Sequence, residues 1–146
     1  MPIYPSLRRL LAAAVFALAC TAAPGLAADP TLFARLGGQP AMDAIADQVV
    51  EGSKADPVAG HHFDKVNIKR LKEQLSLHLC SLTGGPCVFD GDDMKTIHAG
   101  LNINQAEFYA MVERLRDVLD RRGVAAREKN ELLALLAPMK RDVVTQ

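Results

Sequence analysis

Apolar side chains recur at helical spacing along almost the whole chain after residue 30. Met42, Ile45, Ala46, Val49 and Val50 follow the i, i+3, i+4, i+7, i+8 pattern of a single helix face. Pro40 suits a first helical turn, so this helix is expected to begin near it. Asp56-Pro57 should end it, because the residue before a proline avoids the helical region. After a short connection through His61, His62 and Phe63, Asn67 offers a cap for a second helix. That helix carries Ile68, Leu71, Leu75, His78, Leu79 and Leu82 on one face, and Gly84-Gly85-Pro86 stops it. A loop rich in Gly and Asp leads to a brief helical turn, Met94 to Ala99, which carries His98 and ends at Gly100. Asn104-Gln105-Ala106-Glu107 has the form of a capping box. The helix behind it is expected to bury Phe108, Met111, Val112, Leu115, Val118 and Leu119 and to stop at Gly123. A last helix, from about Ala126 to Val143, presents Leu132, Leu133, Leu136 and Met139, and Pro138 should bend or break it. Alternating apolar runs are absent, so the pattern predicts an all-α domain of four substantial helices.

Length and charge narrow this picture. The chain has 146 residues, enough for one domain with a real core. Its formal charge is zero, which argues against a nucleic-acid partner, since that would need a basic face. The first stretch reads as a targeting segment. Arg8 and Arg9 precede an apolar run from Leu10 to Ala19, and small residues follow up to Gly25-Leu26-Ala27. This is a secretory signal pattern, too short to span a bilayer. The expected division is a signal peptide over 1–27 and a domain over 28–146, placed in the periplasm or secreted. Cleavage removes Arg8 and Arg9 from 17 basic residues and none of the 17 acidic ones, leaving a net charge of −2. Cys20 offers a lipoprotein alternative, but Ala17 stands where such a site wants Leu. Membrane attachment is expected only if Cys20 is lipidated.

Cys80 and Cys87 remain, and export would place them in an oxidising compartment. Ser-Leu-Thr-Gly-Gly-Pro between them can reverse the chain, so a disulfide is expected, with two buried thiols as the alternative. A structural zinc site would need two more Cys or His at suitable spacing near this pair, and none is there.

Two histidines stand out by placement. His98 follows a flexible loop and is surrounded by Met94, Ile97 and Leu101. A neutral imidazole in such a setting is a good iron ligand, although a lone histidine on an apolar face is more often a core-edge residue bonded to backbone. His78 lies on the apolar stripe of the preceding helix, in line with Leu71 and Leu75, and is read either as a core-edge residue or as facing the same pocket as His98. His61 and His62 are adjacent and cannot both enter one pocket from a regular helix, so at least one should face solvent. No Ser/His/Asp set, paired carboxylates or phosphate loop is evident.

These residues also carry a resemblance. Leu32-Phe33-Ala34-Arg35-Leu36-Gly37-Gly38 resembles the opening of group I truncated haemoglobins. Leu82-Thr83-Gly84-Gly85-Pro86, Phe89-Asp90-Gly91, Met94-Lys95 and His98-Ala99-Gly100-Leu101 resemble that family's approach to its proximal histidine. The likeness spans Thr31 to Val144. It implies a two-over-two helical sandwich around haem b, with His98 as the proximal iron ligand. It also implies Phe63 as the aromatic packed on the haem, with Leu71 and Leu75 in the distal pocket and Val50 where many relatives keep Tyr. Leu79 and Met94 are further expected haem contacts, and His78 is a candidate distal ligand. Val50, Leu71 and Leu75 offer no hydrogen-bond donor, and Gln74 lies one position off their stripe. A hydrogen bond is worth about 1 kcal/mol net, and more in a dry pocket. Its loss should weaken O₂ retention and favour CO.

The leading functional expectation is a haem protein that binds small diatomic gases (O₂, NO or CO), as monomer or homodimer, in an oxygen-binding or transport role. The apolar distal set argues mildly against NO dioxygenation. The alternative is electron transfer or redox sensing through a haem with His98 and His78 as axial ligands, working with an unidentified redox partner. A helical binding module that has lost haem is the third reading, disfavoured by the retention of His98 and Phe63 together.

Overall fold

In the computed structural model the described residues run from Asp29 to Gln146. The expected signal peptide and Cys20 lie outside them. Thr31 opens the first helix, α1 (Leu32–Leu36), its Oγ1 accepting the Ala34 N–H at 3.2 Å. Gly37 and Gly38 then take positive φ, 108° and 70°, which glycine adopts without strain. The chain can therefore change direction and restart at once as α2 (Gly38–Lys54). Helix thus begins at Leu32, earlier than Pro40 suggests. Pro40 lies in the first turn of α2, where its missing N–H is not needed.

A 3₁₀ turn (Gly60–Phe63) leads to α3 (Ile68–Leu82), capped by Asn67, whose Oδ1 accepts the Arg70 N–H at 3.1 Å. Short α4 (Met94–His98) is capped in the same way by Asp93. The capping box of α5 (Gln105–Arg121) is complete: Asn104 Oδ1 accepts the Glu107 N–H, and Glu107 Oε2 accepts the Asn104 N–H at 2.8 Å. Pro138 breaks the last helix as expected, into α6 (Ala126–Leu136), a 3₁₀ turn (Ala137–Met139) and α7 (Lys140–Val143). No strand occurs among the described residues, and no helix among them is long and apolar enough to cross a membrane.

α2 packs against both α3 and α5, and α1 against α6. Met42, Ile45, Val49, Leu79, Leu115, Val118, Leu119 and Leu132 form the centre of the core. The expected burial of α5 holds only over its second half. Met111 is 39% exposed, and Phe108 and Val112 are half-buried. These three residues border an open cleft rather than a packed neighbour, and that cleft is where the site lies. α7 returns against α4 and closes the same region from the C-terminal side.

Cys80 and Cys87 stand in disulfide geometry, with Sγ atoms 1.99 Å and Cα atoms 5.8 Å apart. Gly85 makes the reversal between them possible. A Cβ there would lie 2.6 Å from Cys80 Sγ and 2.8 Å from the Cys80 carbonyl oxygen. Closing so short a loop should contribute about 2–3 kcal/mol by restricting the unfolded chain. Cys87→Ser is expected to lower urea-unfolding stability by that amount and to release one free thiol on titration of the denatured protein. Equal stability of the variant and the parent would exclude a structural bridge.

Candidate functional site

Between α2, α3, α4, α5 and α7 lies a cleft of about 230 Å³ whose walls are nearly all hydrocarbon. All eight residues singled out as haem contacts or ligands line it: Val50, Phe63, Leu71, Leu75, His78, Leu79, Met94 and His98. Each arrives for a local reason. Val50 is on the inner face of α2, and Phe63 ends the 3₁₀ turn. Leu71, Leu75, His78 and Leu79 share one face of α3 through their spacing of three and four. Met94 and His98 are one turn apart on α4. Cys80 and Cys87 are not part of the lining.

His98 is held by its own helix. Its Nδ1 lies 2.7 Å from the Met94 carbonyl oxygen. A carbonyl only accepts, so Nδ1 carries the proton and Nε2 keeps its lone pair. A carbonyl bonded to the far ring nitrogen is the usual orienting partner of a metal-binding imidazole. His78 has different surroundings. It meets Phe89 edge-on, with ring centroids 4.8 Å apart, and its Nε2 is buried without a hydrogen-bond partner. Burial lowers the pKa of His78, because the charged ring would lose its hydration, and so favours the neutral imidazole.

The lining also corrects the expectation of a distal side without donors. Val50, Leu71 and Leu75 are as expected, but Ser53 and Gln74 line the cleft as well. Ser53 is 1% exposed and its Oγ has no partner. Both positions carried a signal. Ser53 follows Val49 by four and Val50 by three, and Gln74 follows Leu71 by three and precedes His78 by four. A stripe drawn only through apolar residues omits them. Phe89, Ile97, Phe108, Met111, Met139 and Val143 complete the walls. His61 and His62 do not line the cleft; both turn toward Glu107 on its outer side.

A hydrocarbon-walled cleft with one oriented imidazole and two buried polar atoms without hydrogen-bond partners, Ser53 Oγ and His78 Nε2, fits a large apolar group that carries a metal. Haem b is such a group. His98 would hold its iron, and Phe63, Leu71, Leu75, Leu79 and Met94 would enclose the ring.

The bacterial-like globin family model matches residues 31–145. The chain is 32% identical to a group 1 truncated haemoglobin of Chlamydomonas moewusii over 130 residues, covering 88% of this chain and 76% of that protein. It is 31% identical to the group 1 truncated haemoglobin of Tetrahymena thermophila, covering 77% of this chain and 93% of that one. The crystal structure of the truncated haemoglobin from Tetrahymena pyriformis in its Fe(III) form superposes with a TM-score of 0.76 at 27% identity, covering 80% of this chain and all of that one. With the all-helical fold and the histidine-bearing apolar cleft, these likenesses place the chain in the bacterial-like globin family, among the group 1 truncated haemoglobins, with haem b as its cofactor.

Proposed function

We propose that this globin binds a diatomic gas reversibly in an oxygen-binding role, with His98 as the proximal ligand, and that it does so after export. Haem b supplies the iron at which such a molecule binds and leaves. The observation that carries the reading is His98 itself: it lines the cleft, and its Nδ1 is tied to the Met94 carbonyl at 2.7 Å, which leaves Nε2 as the ring nitrogen free to bind a metal. The chain's other residues then set selectivity. The hydrocarbon walls exclude water, and a dry pocket strengthens every hydrogen bond formed inside it. The Ser53 hydroxyl and the Gln74 amide are donors able to serve a polarised ligand such as O₂, which moderates the preference for CO expected from Val50, Leu71 and Leu75 alone. The export reading rests on the N-terminal pattern and on a cysteine pair in bonding geometry, which persists in an oxidising compartment.

A second reading, electron transfer or redox sensing with His78 as sixth ligand, draws on the unpartnered Nε2 of that residue in the same cleft. The two readings separate by absorption spectroscopy of the ferrous protein. Gas binding predicts one haem per chain, a single broad visible band without added ligand, a clear shift on adding CO, and no change of the ligand-free spectrum in His78→Leu. Sharp split bands that disappear in His78→Leu would select the bis-histidyl reading. Protein that takes up no haem would overturn both.

A further inference from the structure

Outside the cleft, the 3₁₀ turn Gly60–Phe63 does something a regular helix would not. It sets His61 and His62 side by side, with ring centroids 4.1 Å apart, and directs both toward one carboxylate. His61 Nε2 lies 3.5 Å from Glu107 Oε1, and His62 Nε2 lies 3.3 Å from Glu107 Oε2. One ligand atom from each of the three residues falls within 4.8 Å of the others. Two neighbouring ligands of a tetrahedral zinc ion, each about 2.1 Å from the metal, are separated by about 3.4 Å. The histidine-to-carboxylate spacings are therefore those of a shared first-row cation.

Three further observations favour a ligand over an incidental ion pair. The His62 and Glu107 side chains are only 15% and 11% exposed, so two of the three groups are sheltered from water while His61 faces it. His62 Nε2 is buried and, although 3.3 Å from Glu107 Oε2, makes no hydrogen bond of regular geometry, so the nitrogen is available to a ligand. Glu107 is fixed in advance, because Oε2 is held at 2.8 Å by the Asn104 N–H of the capping box while Oε1 accepts no hydrogen bond from the backbone. Orientation of a ligating carboxylate by an outer hydrogen bond is a recurring property of metal sites.

We propose that His61, His62 and Glu107 form a binding site for a divalent transition-metal ion of the zinc class, separate from the haem iron. Two neutral imidazoles and one carboxylate give a site of charge −1, complementary to a dication, and three protein ligands leave a fourth position for water. Gly60 fixes the turn in place: a Cβ on it would meet the Lys54 carbonyl oxygen at 2.6 Å. An ion here would clamp the turn that carries Phe63, a cleft residue, onto the first turn of α5.

The test uses untagged, haem-loaded protein freed of metals by chelation and titrated calorimetrically with zinc chloride. The expected result is one zinc per chain, with affinity falling by more than about tenfold in each of His61→Ala and Glu107→Gln, since even an outer-shell loss costs that much. His61 is 59% exposed, so its removal leaves the core untouched. Gln at position 107 still completes a capping box. Absence of saturable binding in the parent, or parental affinity in His61→Ala, would overturn the site. Should Glu107→Gln lose helicity by circular dichroism, His61→Ala alone still decides.

Discussion

His98→Ala is expected to lose stable haem binding. The Soret band should fall to that of loosely associated haem, and affinity should drop by more than about 100-fold, beyond the 10–100-fold typical when only an outer-shell partner is removed. The cause is local. Asp93 caps α4 by accepting the Thr96 N–H at 2.8 Å, so the short helix is fixed at its start. The Met94 carbonyl, 2.7 Å from Nδ1, then fixes the ring on it. The alanine variant would keep the helix and lose the one imidazole that α4 contributes to the cleft lining, since Met94 and Ile97 offer none. Added imidazole should restore part of the spectrum by filling the space the ring leaves. A variant that retains one haem per chain with an unchanged Soret band would refute the assignment of His98. Haem-free His98→Ala should unfold within about 0.5 kcal/mol of the haem-free parent, because the residue is not part of the core cluster.

Leu79→Ala should behave in the opposite way. Leu79 is 2% exposed and belongs both to the core and to the cleft wall. Truncating a leucine buried on this scale costs about 2–5 kcal/mol through lost burial and the cavity left behind. That is a large share of the roughly 5–15 kcal/mol that holds a domain folded. The loss should appear in urea unfolding of the haem-free protein. Leu71, four residues short of Leu75 on the same face, is only half-buried by the protein itself. Leu71→Ala should therefore change haem-free stability by about 1 kcal/mol or less and act mainly on haem retention. Equal losses in the two haem-free variants would show that Leu79 has no special place in the core.

The contrast between these two leucines marks what a periodic pattern conveys. The spacing Ile68, Leu71, Leu75, Leu79 identifies one inward face and cannot say which part of it meets protein and which part meets a cofactor. A planar apolar group takes the place of side chains, so cleft positions and core positions carry the same residue types. Phe108, Met111 and Val112 illustrate the point: they read as core, and the structure sets them beside the cleft. Local chemistry was more legible. The Asn67 cap, the Asn104–Glu107 box and the break at Pro138 depend on residues within a turn of one another, and all three are present.

The all-helical class, the helix order, the family and the eight cleft residues, His98 and His78 among them, are legible in the sequence alone. Those features follow from short-range periodicity, capping chemistry and a motif spread along the whole chain. Three others needed the folded chain: His98 ties Nδ1 to the Met94 carbonyl of its own helix, Ser53 and Gln74 join the lining of the cleft, and His61 and His62 converge on Glu107. Separation along the chain explains the difference. A 3₁₀ turn and the first turn of α5 are brought together by the packing of other elements, and no pattern within either segment encodes what will stand opposite it.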